Sequence, residues 1–533
     1  MAYGAAPTAT ADDASFETLL SRVAGDEGPW QRRTLARVSL ASLLMGAHSL
    51  VAVVQTATPP FHCVAPPDAL ISTEVTADGQ DSCFMFNASS TAAGGGQANA
   101  SGAVPCEQFV FDRDRYGRTV TVEWELVCER EPLVTTVQFT FMLSVLVGYL
   151  LTGVLSDLFG RRAVAWRCSV VIPMASLAVN SASSIESFLV LRAVLGLLLP
   201  GTFVCLLVLS METVGPPARG MYGILYQLPF DVGLILTALV ALVTRTWREL
   251  QLLLSVPALL LPLLLRSLPE SPRWLLSRGR LDEAADVLET IAKRNGRPAP
   301  DRGELLHQLA VCQKAERLLL GGERPSKTWR NCCAAACGDF RQLFATPRMR
   351  TISLACFWCL LVDGLISYGI AEDAPHLGGG AYAALLLSGG VGLLAIGCAL
   401  LLECRLGRRP IVIVASLLTA LPCAALLALP VDRHWERLTL AMVARLAISV
   451  GEKMQNLYST ELFPTTLRSI GLGVGATCTR LGAVLAPPVI TIAGDFYWAV
   501  FAACALLAAV AGYRLPEIRN RQLPNTVDDV ESW

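Results

Sequence analysis

The sequence predicts an all-α integral membrane protein with about twelve transmembrane helices in two six-helix bundles. Of its 533 residues, 53% are hydrophobic and only 16% are charged, whereas roughly a quarter of the residues of a soluble protein carry charge. Apolar stretches near the ~20 residues that a bilayer crossing requires recur along the chain. The segment 157–162 also returns in altered form at 404–409, each copy following a pair of apolar stretches. Such a repeat indicates two related halves facing one central cavity.

The apolar stretches set the predicted organisation of the chain. Their limits are 35–56, 134–154, 163–182, 187–210, 220–244, 248–266, 349–371, 380–402, 410–430, 436–459, 468–491 and 495–514. We therefore expect a cytoplasmic N-terminus (1–34), a first bundle (35–266) with a large extracellular loop (57–133), a cytoplasmic helical linker (267–348), a second bundle (349–514) and a cytoplasmic tail (515–533).

The N-terminal segment is predicted to stay in the cytoplasm. Residues 1–30 contain several acidic side chains and no apolar core, so the sequence does not predict a secretory signal there. Arg32, Arg33 and Arg37 flank the first span on its N-terminal side. Basic residues favour the cytoplasmic side, so the first span is expected to begin inside the cell.

The insert 57–133 has an extracellular composition. Asn87 and Asn99 each begin an Asn-x-Ser glycosylation signal. The insert also contains an even set of cysteines, which allows two disulfides in any of three pairings. These cysteines are Cys63, Cys83, Cys106 and Cys128.

The second insert, 267–348, has the opposite character. It is rich in arginine and lysine and lacks a glycosylation signal, as expected of a cytoplasmic segment. Residues 280–295 and 305–320 place apolar side chains at helical spacing, which predicts two amphipathic helices beneath the membrane. An external loop followed by an internal linker fits an even number of crossings with both termini inside.

The sequence lacks the motifs of several classes of function. The sequence contains no phosphate-binding loop, no zinc-protease helix motif and no nucleophile elbow. We therefore expect neither an enzyme nor a protein with a cofactor or a resident metal. The net charge of −1 also gives no reason to expect a nucleic-acid partner.

The repeated turn predicts a gate. The turn between the second and third spans carries an acid and two guanidinium groups, with Asp157, Gly160, Arg161 and Arg162 as its predicted gating residues. Bonds between arginine and carboxylate there would hold the two halves in one conformation. A topology signal is the other interpretation, and the two are compatible. Cys404 replaces the acid in the second copy, so a latch there would use the displaced Glu403. The predicted gating residues of this copy are Glu403, Arg405, Gly407, Arg408 and Arg409.

Arg480 in span eleven is the strongest candidate for a substrate contact. A charge at the bilayer centre costs ~2.5–3.5 kcal/mol or more unless it finds a partner or water. The face of Arg480 is formed by small residues that would leave room for a ligand, among them Gly473 and Thr477. The functional interpretation is an anchor for a carboxylate or sulfate, and the alternative is a structural ion pair to a neighbouring helix.

Span ten carries three further charges, Arg445, Glu452 and Lys453. Arg445 and Glu452 share a helix face, so they form either a self-neutralised structural pair or part of a substrate or proton site. For Arg192 in span four, the simplest interpretation is a side chain that reaches towards the membrane surface.

Two carboxylates complete the candidate site. Asp231 lies one turn after Gln227, and Asp363 lies one turn before Ser367. Each would balance a basic residue, line the cavity or carry a proton, and the sequence does not rank these roles. The predicted substrate-site residues are Arg480, Tyr368, Trp358, Asp363, Asp231, Gln227 and Lys453.

Four segments resemble solute carrier family 22, the organic ion transporters of the major facilitator superfamily. The most specific is Leu-Pro-Glu-Ser-Pro-Arg-Trp-Leu-Leu at 268–276, followed by an amphipathic helix; the others are 121–128, 346–351 and 458–468. The resemblance implies two six-helix bundles, alternating access of organic ions across the plasma membrane, and a gating role for Glu270 and Arg273. In this family the position of Arg480 tends to be basic in anion and carnitine carriers.

The chain also departs from the family pattern. Span eight has Ile396 where anion carriers typically have a lysine, and Gly392 or a close neighbour where cation carriers have a glutamate. The aromatic pair of span seven is reduced to Tyr368. These departures leave two hypotheses for the function.

The first hypothesis is a secondary carrier of small organic anions or zwitterions. Arg480 would hold the anionic group, with aromatic contacts from Tyr368 and Trp358, and the only partners would be the organic ion and membrane lipid. The second is a non-transporting receptor or accessory protein that keeps the carrier fold. The missing charge in span eight supports the receptor, whereas the retained Arg480 favours the carrier.

Overall fold

In the computed structural model the protein is almost entirely helical. The structure describes residues 15–63, 83–86, 103–106, 108–112, 116–298, 300–319, 340–430, 432–464, 467–518 and 527–531. Twelve long helical segments, here numbered first to twelfth, follow the predicted spans. In the N-terminal half they are Pro29–Ser49 continued by Val51–Gln55, Pro132–Phe159, Arg161–Ala178, Ile185–Glu212, Pro216–Val243, and Trp247–Ser255 continued through Val256–Leu260 to Leu261–Arg266. In the C-terminal half they are Pro347–Asp373, Gly380–Arg405, Arg408–Ala428, His434–Leu462, Arg468–Ala493 and Tyr497–Arg514.

The tenth helix differs from the others in polarity. In the described residues, eleven helices are long and apolar enough to cross a membrane by length and composition alone. The tenth is the longest of the C-terminal half, with 29 residues, but it contains Arg445, Glu452 and Lys453. Its apolar face nevertheless lies in the core of that half, where Ala441 and Ile448 are fully buried. A helix packed on several sides by protein can carry charge that a lipid-facing helix cannot.

The two halves repeat one packing scheme. In the N-terminal half the first helix packs on the fifth, and the fourth packs on the second and third. In the C-terminal half the seventh packs on the eleventh, and the tenth packs on the eighth and ninth. The main contacts between halves pair the fifth helix with the eighth and the second with the eleventh. The predicted two-half architecture is confirmed.

Reciprocal glycines bring the helices of one pair in each half into backbone contact. A Cβ at Gly46 would lie 2.0 Å from the carbonyl oxygen of Phe230, and one at Gly233 would lie 2.3 Å from that of Leu43. These contacts join the first helix to the fifth. In the other half, Gly364 and Gly482 join the seventh helix to the eleventh, with corresponding distances of 1.9 and 2.1 Å to the carbonyl oxygens of Thr479 and Leu361. Any larger residue would force these helices apart.

One end of the bundles carries the large insert between the first two helices, and we call it the loop end. Strand Phe61–Cys63 pairs antiparallel with Phe109–Phe111, and Phe84–Phe86 pairs with Ala103–Pro105. Of the three disulfide pairings left open by the sequence, the structure has Cys63–Cys106 and Cys83–Cys128. The predicted glycosylation sites Asn87 and Asn99 lie outside the described residues.

The opposite end carries the linker between the halves, and we call it the linker end. Its helices are Pro272–Ser277, Leu281–Arg294 and Arg302–Leu319, which confirms both predicted amphipathic helices. Helix Leu281–Arg294 buries Ala284, Leu288 and Ile291 against a further helix, Phe16–Val23, that the sequence reading missed. The first membrane helix begins at Pro29 rather than at 35, because Trp30 belongs to this same small core. A last short helix, Val527–Glu531, packs on the seventh helix.

Candidate substrate site and gates

Arg480 lies midway along the eleventh helix and bonds to both halves of the molecule. Its Nη1 donates a hydrogen bond of 2.8 Å to the hydroxyl of Tyr368 in the seventh helix. Its Nη2 donates a second bond of 2.8 Å to the hydroxyl of Tyr149 in the second helix, and the guanidinium carbon lies 4.7 Å from the centre of that ring. Because the second helix belongs to the N-terminal half, the guanidinium links the two halves.

Arg480 forms no ion pair in the described part of the chain, although Glu452 of the tenth helix lies within electrostatic reach of it. Both of its hydrogen bonds go to neutral phenols, and no Asp or Glu there forms an ion pair with it. The structural ion pair that was the alternative interpretation of Arg480 is therefore not observed. A desolvated guanidinium held by two hydroxyls keeps its charge available to an anion.

The face of Arg480 towards the linker end borders open space. Thr477 and Gly473 lie one and two turns nearer that end on the same side of the eleventh helix. No atom of the described residues lies within 4 Å of the position that a Cβ would take at Gly473. On the other side of Arg480, Ala483 and Val484 are buried in the core of the N-terminal half. The guanidinium thus lies between a buried region and the open space at Gly473, although the fifth helix approaches the tenth at the linker end, where a Cβ at Gly220 would lie 3.3 Å from Leu457.

The loop end is sealed across the halves. The hydroxyl of Tyr116 accepts a 3.0 Å hydrogen bond from the backbone N–H of Ala381 at the start of the eighth helix. The ring of Tyr116 lies 5.3 Å from that of Tyr382. Leu50 of the first helix and Ala371 of the seventh share one buried cluster with Tyr116.

The side chain of Asp231 contacts the opposite half of the molecule. It belongs to the fifth helix, is 5% exposed, and lies directly over Gly392 of the eighth helix: a Cβ there would be 2.2 Å from its Oδ1. Lys453 and Arg445 of the tenth helix lie within electrostatic reach of it. A carboxylate of the N-terminal half, that of Asp231, therefore occupies the space that Gly392 leaves beside the eighth helix.

The other predicted charges take different positions. Asp363 is as buried as Asp231, and its Oδ2 makes no hydrogen bond in the described structure. Arg445 donates to the backbone carbonyl of Ser367 and forms no ion pair with Glu452, so the self-neutralised pair is not observed in the described residues. Lys453 is 7% exposed.

Of the predicted site residues, only Tyr368 contacts Arg480 in the described structure; Asp231, Asp363, Lys453, Trp358 and Gln227 do not. Trp358 packs against the core of the C-terminal half, and its Nε1 is buried without a hydrogen-bond partner in the described structure. Gln227 lies one turn before Asp231, half-buried. Conversely, sequence reasoning missed Tyr149, because a tyrosine in an apolar span has no distinctive signal until the facing helix is known.

Arg192 does not reach the membrane surface, contrary to the simplest interpretation of its sequence position. It is fully buried, and its guanidinium carbon lies 4.4 Å from the centre of the Phe141 ring. None of its side-chain nitrogens has a hydrogen-bond partner in the described structure. The aromatic face supplies a favourable interaction for the cation.

The first copy of the repeated turn forms a charge cluster at the linker end. Arg161 forms ion pairs with Asp157 at 2.9 Å and with Glu212, at the end of the fourth helix, at 3.3 Å. Glu270 accepts a 3.0 Å bond from the backbone N–H of Arg162 and so caps the third helix. Only glycine fits at 160, because φ is +100° and a Cβ would lie 2.4 Å from Oε2 of Glu270.

The second copy reproduces this cluster. Arg408 lies 3.3 Å from both Glu403 and Glu461, at the end of the tenth helix, so the displaced carboxylate does replace the missing acid. Glu517 lies against Gly407, where a Cβ would be 2.4 Å from its Oε2. Arg409 donates a 2.7 Å bond to the carbonyl of Tyr513, as Arg162 does at 3.0 Å to that of Arg266.

Each cluster joins helices of its own half. The prediction that the turns latch one half to the other is therefore wrong for this conformation: in the described residues, the acids that pair with Arg161 and Arg408 all lie in the same half as the arginine. Arg405 ends the eighth helix and is exposed. Arg273 pairs with Glu17 of the N-terminal helix at 3.3 Å rather than with the turn. Each cluster thus ties together helix ends within one half.

Comparisons with known proteins agree with this architecture. Residues 83–526 match the family model described as sugar (and other) transporter. The chain is 33% identical to solute carrier family 22 member 7 of Rattus norvegicus, over 97% of this chain and 98% of the relative. It is 29% identical to an organic cation transporter protein of Drosophila melanogaster, over 96% and 93%, and 28% identical to organic anion transporter 3 of Oryctolagus cuniculus, over 97% and 94%.

Solved structures share the fold. The proton:xylose symporter XylE bound to 6-bromo-6-deoxy-D-glucose superposes with a TM-score of 0.59 at 18% identity, over 94% of this chain and 98% of that one. The partially occluded, inward-open XylE of E. coli gives 0.60 at 16% identity, over 91% and 100%. At this level of identity the likeness concerns the fold alone.

Proposed function

Because the chain belongs to solute carrier family 22 of the major facilitator superfamily, we propose that it carries small organic anions or zwitterions across the plasma membrane by alternating access. Membership makes it a multi-pass membrane protein of a transporter family rather than an enzyme. Its substrate class and its membrane are our proposal.

The bonding of Arg480 carries this proposal. The guanidinium lies between the halves, holds two neutral hydroxyls and borders open space at Gly473. A substrate carboxylate or sulfate entering from the open side would replace a phenol as the acceptor and gain a charge-assisted bond. The anion would also form the ion pair that Arg480 lacks in the described residues, where Glu452 lies within electrostatic reach but not within ion-pair distance.

A zwitterion fits the same interface. Asp231 and Asp363 each present a carboxylate oxygen without a hydrogen-bond partner in the described structure. Asp231 is balanced by nearby cations of the tenth helix, whereas the charged group that acts on Asp363 among the described residues is another acid, Glu452. An ammonium group of the substrate would therefore favour Asp363 while its carboxylate binds Arg480.

The transport cycle follows from the same contacts. Since Tyr149 belongs to one half and Arg480 to the other, rocking of the halves must stretch or break their bond. Substrate bound to Arg480 would replace that bond and lower the barrier to rocking. The clusters around Arg161 and Arg408 tie together helix ends within each half, so the movement is concentrated at the interface.

The direction of the molecule is also part of the proposal. The linker end carries the excess of basic residues and the loop end carries the two disulfides. We place the linker, both termini and the open side of Arg480 in the cytoplasm. The loop with Asn87 and Asn99 would then be extracellular and glycosylated.

Uptake of labelled organic anions, zwitterions and cations by cells that express the chain tests the proposal. Arg480→Ala should lower kcat/KM for the anionic or zwitterionic substrate by at least about 30-fold, since removing one partner of a buried charged contact costs about 2 kcal/mol or more. Arg514→Ala, which removes an exposed arginine at the end of the twelfth helix, is the matched control and should leave uptake unchanged. Surface labelling must give equal amounts of all variants.

Two outcomes would reject the proposal. Uptake confined to cations and insensitive to Arg480→Ala would remove Arg480 from the substrate site. No uptake of any probe by protein that is abundant at the cell surface would favour a non-transporting receptor with the carrier fold.

A further inference from the structure

A groove of about 620 Å³ opens on the outer surface of the N-terminal half at its linker end. The turn between the second and third helices forms one wall, and the end of the sixth helix with the first linker helix forms the other. Phe159, Trp166 and Trp274 provide aromatic walls, and Arg167, Arg266 and Arg280 are among its charged residues. The groove is separate from the interface between the halves that contains Arg480.

The groove lies at the level of the lipid headgroups. Phe159 is the last residue of the second helix, Arg161 is the first of the third, and Arg266 is the last of the sixth. These helices span the apolar core, so their ends mark its boundary. Exposed tryptophan and arginine are the residues that bilayer surfaces favour, and Trp166 is 41% exposed.

The charge of the groove is positive. Four arginines and two glutamates line it, which leaves two net positive charges. Arg280 is paired with Glu283 at 2.5 Å, and Arg162 donates to the carbonyl of Arg266. The guanidinium groups of Arg167 and Arg266 are exposed and form no ion pair with any described residue. Two guanidinium groups are therefore available to an anion.

An exposed apolar stripe leads from the groove towards the middle of the membrane. Trp166, Val170 and Met174 follow one face of the third helix and are 41, 37 and 67% exposed. Leu263 of the sixth helix, 69% exposed, lies on the neighbouring helix. This surface matches acyl chains, which a soluble anion or a phosphopeptide lacks.

We propose that the groove binds the headgroup of an anionic phospholipid from the leaflet at the linker end, with its acyl chains on the stripe of the third helix. Arg167 and Arg266 hold the phosphate, and the aromatic walls cover the glycerol region. Since Glu270 both lines the groove and caps the third helix, the bound lipid also touches the charge cluster of Arg161. This site does not depend on what the protein transports.

The test measures lipid binding by the purified full-length protein. In detergent, native mass spectrometry counts adducts with phosphatidylserine and with phosphatidylcholine of the same acyl chains. Each arginine near a membrane surface contributes about fivefold to the affinity for an anionic lipid. The double variant Arg167→Gln/Arg266→Gln should therefore bind phosphatidylserine about 25-fold more weakly, while Arg514→Gln, at the same level of the other half, should bind it as the wild type does.

A single variant and a displacement measurement complete the test. The single variant Arg167→Gln changes one exposed side chain and should lose about fivefold, so the proposal can be tested even if the double variant misfolds. Glycerophosphoserine and inorganic phosphate, which lack acyl chains, should not displace the lipid at equal concentration. Equal affinity for both lipids, unchanged affinity in the variants, or displacement by either soluble anion would overturn the proposal.

Discussion

At the linker end, Arg161 in the N-terminal half and Arg408 in the C-terminal half each bond two carboxylates, but they obtain the first from different places. Asp157 lies four residues before Arg161 and is 71% exposed, whereas Glu403 lies five residues before Arg408 and is 25% exposed. The longer glutamate side chain reaches the guanidinium from one position further back. What the cluster requires is a carboxylate at a point in space, and the altered copy provides it from a more sheltered position.

The central charges show the opposite relation between the halves. The helix pairs joined by glycines and the linker-end clusters occur in both halves, but Arg480 and Lys453 belong only to the C-terminal half, and Tyr149 and Asp231 face them from the other. The duplicated parts form the framework. The parts that differ meet at the interface, which is where a substrate would bind.

The largest expected effect concerns the duplicated framework. Gly46→Ala and Gly364→Ala would each place a methyl group about 2 Å from a backbone carbonyl oxygen of the facing helix, at 2.0 and 1.9 Å respectively. The helices must separate, and overpacking of this kind costs about 1–3 kcal/mol or more. We expect both variants to lose most folded protein, measured as monodisperse protein after solubilisation and as a lower Tm.

Gly390→Ala in the eighth helix is the matched control. Within the described structure no atom lies within 4 Å of the position of its Cβ, so alanine should be tolerated and, in a helix interior, should raise stability by up to about 1 kcal/mol. A large loss in one half with a small loss in the other would show that the close approach is needed in only one of them.

The linker-end clusters give an intermediate effect that separates the two copies. Although the first copy keeps the acid at its usual position, Asp157 is far more exposed than Glu403. Exposed ion pairs contribute ~0–1 kcal/mol, and bonds to partly buried charges contribute ~1.5–3 kcal/mol. We therefore expect Glu403→Gln to lower the Tm and the transport rate more than Asp157→Asn does. The reverse order would mean that sequence position, and not burial, determines the strength of the cluster.

The fold could be predicted from the sequence because its signal is repeated many times. Each span needs only a stretch of apolar residues, and the alternation of basic and disulfide-bearing inserts orders them. The observed helix limits differ from the predicted ones where a charged or aromatic residue belongs to a helix but lies outside its apolar stretch. Trp30 at the start of the first helix is an example.

The site could be predicted only in part, because it depends on pairs of helices. Arg480 was found because a charge in an apolar span is costly, and Tyr368 followed from the family resemblance. Tyr149 and the contact of Asp231 with Gly392 lie across the interface. The sequence does not predict these contacts, because the two residues of each pair belong to helices that are far apart along the chain.

The smallest expected effect compares the two halves at the loop end. Glu123 accepts a 2.9 Å bond from Nε1 of Trp247 and forms an ion pair with Arg248, and its side chain is 11% exposed. Burial acts to raise the pKa of Glu123, but the bonds from Arg248 and Trp247 outweigh it, and the pKa of this carboxyl lies below its usual value. In the other half, Glu436 pairs with Arg433 at 2.7 Å and is 52% exposed.

A pH series distinguishes these two pairs. Because folding lowers the pKa of Glu123, its stabilising contribution is present above the pKa of the unfolded chain and is lost as the pH falls through the folded pKa. The Tm difference between wild type and Glu123→Gln should therefore be constant near neutral pH and should shrink in acid. Glu436→Gln should change the Tm little at any pH, since its pair is exposed. If the Tm difference for Glu123→Gln persisted unchanged at a pH where wild-type Glu123 is protonated, packing around Trp247, and not the carboxylate charge, would be what stabilises this corner of the N-terminal half.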